Sequence, residues 1–164
     1  MRAVLLLPVV VTLVVPTVLV WWTESVRLGW GLPGALAAVP IVLGAVLVAA
    51  GLALVTWTVE LFVREGEGTL APWDPTTKLV VRGPYRHVRH PMIGGVAAIL
   101  LGEAVLLGSA AVLGWFAAVV AVNAVYLPLV EERGLVRRFG TDYETYRANV
   151  PRFVPRLSAW DPAR

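Results

Sequence analysis

Polar residues interrupt this chain at few places, and the intervals between them predict its elements. The first apolar run, Ala3 to Trp22, is broken only by Thr12 and Thr17. It is too long for the apolar stretch of a signal peptide, and Trp21-Trp22 is not a small-residue cleavage site, so it reads as a retained membrane span with a tryptophan belt. The second run covers Leu32 to Val63. Fully helical, it would reach about 48 Å against a hydrocarbon core of about 30 Å. Pro33, Pro40, Gly44 and Gly51 lie in it, which predicts a tilted or kinked helix whose Trp57 to Arg64 end projects from the bilayer. The third and fourth runs, Pro91–Leu107 and Ala110–Val130, are separated by Gly108-Ser109 alone and predict a tight antiparallel hairpin. Beyond it, Leu135, Val136 and Phe139 form the stripe of a short helix ended by Gly140. Thr141-Asp142-Tyr143-Glu144 fits a capping box opening another helix, which carries Tyr143 and Tyr146 and stops before Pro151. No internal repeat or low-complexity segment occurs.

The expected fold is therefore an all-α integral membrane protein of one domain, residues 1–164. It has four transmembrane helices (about 3–22, 35–63, 91–107 and 110–130), a long loop (64–90) and a helical tail (131–164). Composition agrees: 58% of residues are apolar, 15% are charged and mean hydropathy is +0.75, against about 25% charged in a soluble domain. Cysteine is absent, which excludes a disulfide framework, a zinc-thiolate site and a thiol nucleophile. The position of the charges says more than their sum. With four spans, thirteen of the fourteen Lys and Arg residues share the face of the termini and the long loop, and only Arg27 lies opposite. The positive-inside bias then makes both termini cytoplasmic. A 27-residue loop and a 34-residue tail on one face are more than an anchor needs and point to function.

Several motifs invite a chemical reading. Gly29-Trp30-Gly31-Leu32-Pro33-Gly34 matches the dinucleotide fingerprint, but its place between two spans lacks the strand–turn–helix context that gives the fingerprint meaning. In Gly83-Pro84-Tyr85-Arg86-His87-Val88-Arg89-His90-Pro91-Met92, Pro91 suits the first position of a helix and pushes His90 out of the α region. Arg86, His87, Arg89 and His90 then gather where free N–H groups and the helix dipole favour an anion, a seat for carboxylate or phosphate. A basic anchor facing anionic lipid is the alternative. The hairpin brings Glu131-Glu132-Arg133 near that cluster. A basic seat beside an acidic one would clamp a zwitterion; a solvated helix-end cluster is the simpler reading. Hairpin symmetry sets Asn123 level with Gly94-Gly95, where the missing side chains leave room for Asn123 or a ligand. Glu103, an acid within a span, is either functional or snorkels to the nearby outer loop. Glu60 stands at the loop end of the second span.

These residues resemble a known group. Gly66 to Pro75, Leu79 to Arg86, Arg89-His90-Pro91-Met92 with Gly94, and Glu131-Glu132 resemble small bacterial membrane proteins of the isoprenylcysteine carboxyl methyltransferase and phospholipid methyltransferase group. Leu135, Phe139-Gly140, Tyr143, Tyr146 and Val150-Pro151-Arg152-Phe153-Val154-Pro155 continue the match, which covers about residues 66–156. The resemblance implies use of S-adenosylmethionine to methylate a lipidic or small hydrophobic acceptor at the cytosolic face of a bacterial inner membrane. It implies a cofactor pocket lined by Tyr85, Arg89, His90, Pro91, Met92, Gly94, Glu131 and Glu132. His90 and Glu132 are the expected catalytic residues, and Glu60, Trp73, Asn123 and Arg152 the expected acceptor contacts. No metal and no nucleic-acid partner is expected. The chain departs from the group at Ile93, where tyrosine is common, and at Arg133-Gly134, where proline often follows the glutamates. The bottom-up reading runs parallel: the basic seat suits the cofactor's carboxylate, a glutamate its ammonium, and Tyr85 its sulfonium by a cation–π contact. The rivals are an NADPH-dependent membrane reductase of the sterol-reductase type, which has a related hairpin and an Arg-His motif, and a non-enzymatic membrane scaffold or lipid-binding module.

Overall fold

The computed structural model of the protein describes residues 7–24, 26–65 and 79–161. Among the described residues every regular element is helical. Helix α1 (Val15–Thr23) follows a π-helical stretch, Val10–Val14, just where Pro16 offers no N–H to the usual ladder. A short 3₁₀ turn, Gly34–Ala37, leads into α2 (Ala38–Glu65), so the second helix starts slightly later than the apolar run does. Its Pro40 stands in the first turn, where a missing N–H costs nothing. Helices α3 (Pro91–Leu107) and α4 (Ala110–Tyr126) form the predicted hairpin. Among the described residues, three helical stretches are long and apolar enough to cross a bilayer: Leu7–Gly31, Gly34–Arg64 and Ala110–Phe139. Helix α3, with 17 residues, is shorter.

Helix α3 is the central element, packed most extensively along α2 and on its other side against α4. Glycines set the α2–α3 contact. A Cβ on Gly44 would stand 2.7 Å from the Gly102 carbonyl oxygen, and one on Gly51 would stand 2.6 Å from that of Gly95. The two pairs keep antiparallel register and let the backbones touch. This corrects the expectation for Gly95: its open side is filled by Gly51 and Val55, so no room is left there for Asn123. The Asn123 amide instead donates to the Val119 carbonyl within α4 (2.8 Å). Gly94, one position on, faces open space.

The α3–α4 turn needs its glycine. Gly108 adopts φ 60°, ψ 37°, and a Cβ there would collide with the carbonyl of Arg27. Arg27 N–H donates to Leu107 (2.9 Å) and the Trp30 indole donates to Val105 (3.1 Å). The α1–α2 and α3–α4 turns are thereby pinned together at one end of the molecule. The glycine-rich fingerprint falls in this structure as a 3₁₀ turn, Leu28–Gly31, with Gly29 and Trp30 at positive φ. Trp115 ties α4 to the π-helical stretch before α1 by donating to Val11 (3.0 Å).

At the opposite end α4 does not stop at Val130. It runs through a π turn, Leu127–Glu131, into α5 (Glu132–Phe139). Pro128 has no N–H for the regular ladder, and the bonding shifts to the wider turn, with Glu132 N–H donating to Leu127. A core of about 30 Å takes about 20 helical residues, so the charged stretch from Glu131 on stands outside it. Helix α6 (Thr141–Asn149) has Gly140 as its N-cap and no side-chain cap bond, so the expected capping box does not form. Tyr143, Tyr146 and Val150 build a small core here with Leu79, Val81, Leu135, Val136, Phe139 and Trp160. The tail then returns across residues 86–89: Arg89 N–H donates to Pro151 (2.9 Å), Arg156 N–H to His87 (3.0 Å) and Trp160 N–H to Arg86 (2.9 Å).

Candidate functional site

The polar residues meet at the end of the hairpin that carries the tail. His90 is the N-cap of α3 (φ −123°, ψ 60°) with Pro91 at the first helical position. The π turn aims Glu131 and Glu132 at it from α4–α5. The tail, held by the Arg89–Pro151 backbone bond, brings in Arg152. Glu132 is at the centre and 2% exposed. Arg152 grips it bidentately, Nε to Oε1 at 2.7 Å and Nη2 to Oε2 at 2.9 Å. Arg89 Nη1 stands 2.9 Å from Oε1, and His90 Nε2 3.3 Å from the same oxygen. The other ring nitrogen, Nδ1, lies 3.4 Å from Glu131 Oε1. One histidine thus bridges two carboxylates, and one buried carboxylate holds two guanidinium groups.

Burial pulls the Glu132 pKa up, but the Arg152 hydrogen bond, the Arg89 charge and the His90 hydrogen bond outweigh it and bring it down from 4.5 to about 2. Glu132 is therefore a fixed anion at neutral pH and a poor base. Tyr143 and Tyr146 lie on the same side. Burial first, then the Glu132 charge, push the Tyr143 phenol to about 12 against the pull of Arg89. Burial also raises Tyr146, whose hydroxyl donates to the Tyr85 carbonyl (2.7 Å). Tyr85 is buried with its ring edge-on to Phe62 (centroids 5.4 Å apart, 81°), and burial, Tyr146 and Glu131 raise its phenol well above the usual value.

The Arg89 ion pair is not a well-aligned hydrogen bond. Among the described residues, neither Arg89 Nε nor Nη1 has a partner of hydrogen-bond geometry, although both atoms are buried; the Tyr143 hydroxyl is in the same position. Buried donors of this kind suit an anionic group.

The structure brings together Arg89, His90, Glu131, Glu132 and Arg152 from three separated segments, with Tyr85 beside them. Pro91 is buried, Met92 half-buried, and Gly94 open, on the first turn of α3. The four basic-type side chains of the 86–90 segment do not act as one seat. Arg86 Nε donates to the Trp160 carbonyl (2.6 Å) and its guanidinium lies 3.6 Å from Asp161, while His87 Nδ1 meets the Arg156 carbonyl at 2.8 Å. Those two hold the tail, and Arg89 and His90 face the glutamates. Glu60 is exposed on α2, between Trp57 and Leu61, which pack on Gly83. Trp73 lies outside the described residues. Glu103 on α3 has one buried carboxylate oxygen without a partner among the described residues. Sequence reasoning did not give Tyr143 a place at the site, nor pair Arg152 with Glu132. The signal was present in the tyrosines spaced by three on α6 and in the Val150–Pro155 motif, but nothing in either shows which surface they cover.

The model of one protein family, described as phospholipid methyltransferase, matches residues 39–142, more than half of the chain. No curated protein matches the chain, and no solved structure does.

Proposed function

Because the chain belongs to the phospholipid methyltransferase family, we propose that it transfers a methyl group from S-adenosylmethionine to a lipidic or small hydrophobic acceptor at a membrane interface. The observation that carries this reading is the convergence of Arg89, His90, Glu131, Glu132 and Arg152 at the mouth of the α3–α4 hairpin. When bound, S-adenosylmethionine supplies an electrophilic methyl on a sulfonium, beside a carboxylate and an ammonium group. The residues fit such a zwitterion. Arg89 Nε, buried and without a partner among the described residues, is a donor left for the carboxylate. Glu132 is consumed by its arginines, whereas the Glu131 side chain, which meets His90 through Oε1, is 40% exposed and accessible to an ammonium. Gly94 leaves the first turn of α3 open beside them.

The chain's own part in the reaction is mainly to bind, orient and exclude water. Glu132 fixes Arg89 and Arg152 in place and turns the His90 ring by accepting from Nε2. That leaves His90 Nδ1 as the atom placed to receive a proton where the acceptor is an amine or thiol, and the proton would be held there by Glu131. A carboxylate or thiolate acceptor needs no such step. We read the membrane topology as four spans with both termini on the basic, cytoplasmic face; the joined Arg27 and Gly108 turns at one end support it.

Thermal melting in detergent tests the cofactor directly. S-Adenosylhomocysteine should raise the melting temperature and NADPH should not, and His90→Ala and Glu131→Ala should each lose calorimetric binding of S-adenosylhomocysteine. Stabilisation by NADPH alone, or normal affinity in both variants, would sink the assignment.

A further inference from the structure

The returning tail has two faces. Val150 and Trp160 turn inward onto the Tyr143–Tyr146 core. Between them Phe153, Val154 and Leu157 turn outward, at 52%, 76% and 102% exposure. A single exposed apolar side chain is ordinary, but three within five positions of an ordered segment make a patch that calls for a partner.

The position of the segment indicates which partner. The Arg89–Pro151 backbone bond (2.9 Å) ties the start of the segment to the residue two before Pro91, where the apolar helix α3 begins. The Arg156–His87 bond (3.0 Å) ties its far part to the same stretch. Residues 153–157 are therefore held at the level where α3 leaves the bilayer. The flanking charges suit that level. The Arg152 guanidinium, fixed by Glu132, lies 5.8 Å from the centroid of the Phe153 ring. Arg156, partly exposed, donates to the Asn149 carbonyl (2.8 Å) and stands between Val154 and Leu157 in the chain. Apolar side chains beside arginines, at the end of a membrane helix, have the chemistry of a segment lying in the boundary between headgroups and acyl chains.

We propose that residues 153–157 form a lipid-contacting patch in which Phe153, Val154 and Leu157 insert shallowly into the leaflet that α3 and α4 leave, with Arg156 facing its anionic headgroups. The proposal rests on the membrane-spanning reading and not on methyl transfer. Because Phe153 follows the residue that clamps Glu132, the patch places the site against the leaflet that would deliver a lipidic acceptor.

The absence of cysteine makes the test clean. Single variants Val154→Cys and Leu157→Cys, labelled with an environment-sensitive fluorophore, are reconstituted in vesicles of phosphatidylethanolamine and phosphatidylglycerol. Both should emit blue-shifted light and be quenched by lipids spin-labelled near the top of the acyl chain. Lipids labelled near its end should quench them less, since such segments lie about 5–10 Å deep. Glu144→Cys, exposed on α6, should respond to a water-soluble quencher only. Val122→Cys, on the exposed face of α4, should be quenched best by the deep label. Water-like emission at positions 154 and 157 overturns the proposal. So does blue-shifted emission that no lipid quenches, since protein would then cover the patch. Failure at position 122 would overturn the membrane-spanning reading instead.

Discussion

Glu132 organises the site because it is buried and carries more cation than it can neutralise. Removing its charge leaves Arg89 and Arg152 facing each other across a neutral group, and breaking a buried pair costs about 3–5 kcal/mol. Glu132→Gln is expected to lower the detergent melting temperature strongly and to disorder Arg152, whose bidentate grip needs both oxygens. The same residue sets an acid limit. Its folded pKa of about 2 lies below the ordinary 4.5, so it contributes stability that is fully present above about pH 4.5 and is lost as pH falls towards 2. Melting temperatures followed from pH 6 downwards, on the order of one measurement per half unit, should show this loss in the native protein and a flatter profile in Glu132→Gln. Equal slopes would mean that another group titrates. The sequence placed Glu131 and Glu132 near Arg89 and His90 through hairpin topology alone. It could not show that Glu132 would be consumed by two arginines and Glu131 left exposed, because that division depends on the rotation imposed by the π turn at Pro128.

The elements are held together by backbone contact more than by side-chain interlock. Gly51 and Gly95 illustrate it: a methyl group at either would stand within about 3 Å of backbone carbonyl or of Val55, and two packed helices cannot both yield without losing register. Gly51→Ala should destabilise the protein by about 1–3 kcal/mol or more, while Gly94→Ala, which meets nothing within 4 Å, should leave the melting temperature unchanged and weaken binding of S-adenosylhomocysteine. Melting and calorimetry on the two variants separate packing from site; similar melting curves would show that the glycine contact is slack. The period-seven glycines of α2 were visible in the sequence, where they suggested a tilt or kink. Their partner helix was not, since small residues say that something approaches and not what. Helix α6 shows the opposite limit: its residues fit a capping box, yet the connection from α5 turns so sharply at Gly140 that Gly140, and not Thr141, becomes the cap.

At the scale of the whole molecule the charge asymmetry becomes a topological statement. The Arg27 and Gly108 turns are bonded to each other, and residues 86–89 meet the tail at the other end. On the four-span reading proposed above, these ends would lie on opposite sides of the membrane; among the described residues three helical stretches are long and apolar enough to cross, and α3 has 17 residues. A thiol at Leu28, which is exposed, should react with an impermeant reagent in intact cells, and one at Asp142 only after permeabilisation; reaction of both from outside would remove one crossing. The apolar runs, the hairpin at Gly108-Ser109, the helix start at Pro91 and the meeting of a basic with an acidic segment were all determined by the sequence, because each follows from local periodicity, a turn residue or the sidedness of charge. The tertiary structure alone decided which cation each carboxylate holds, that Arg86 and His87 bind the tail while Arg89 and His90 face the glutamates, and that Arg152 closes the site. Those outcomes depend on backbone bonds between segments more than sixty residues apart, Arg89 to Pro151 and Arg156 to His87, whose pairing leaves no periodic trace in the chain.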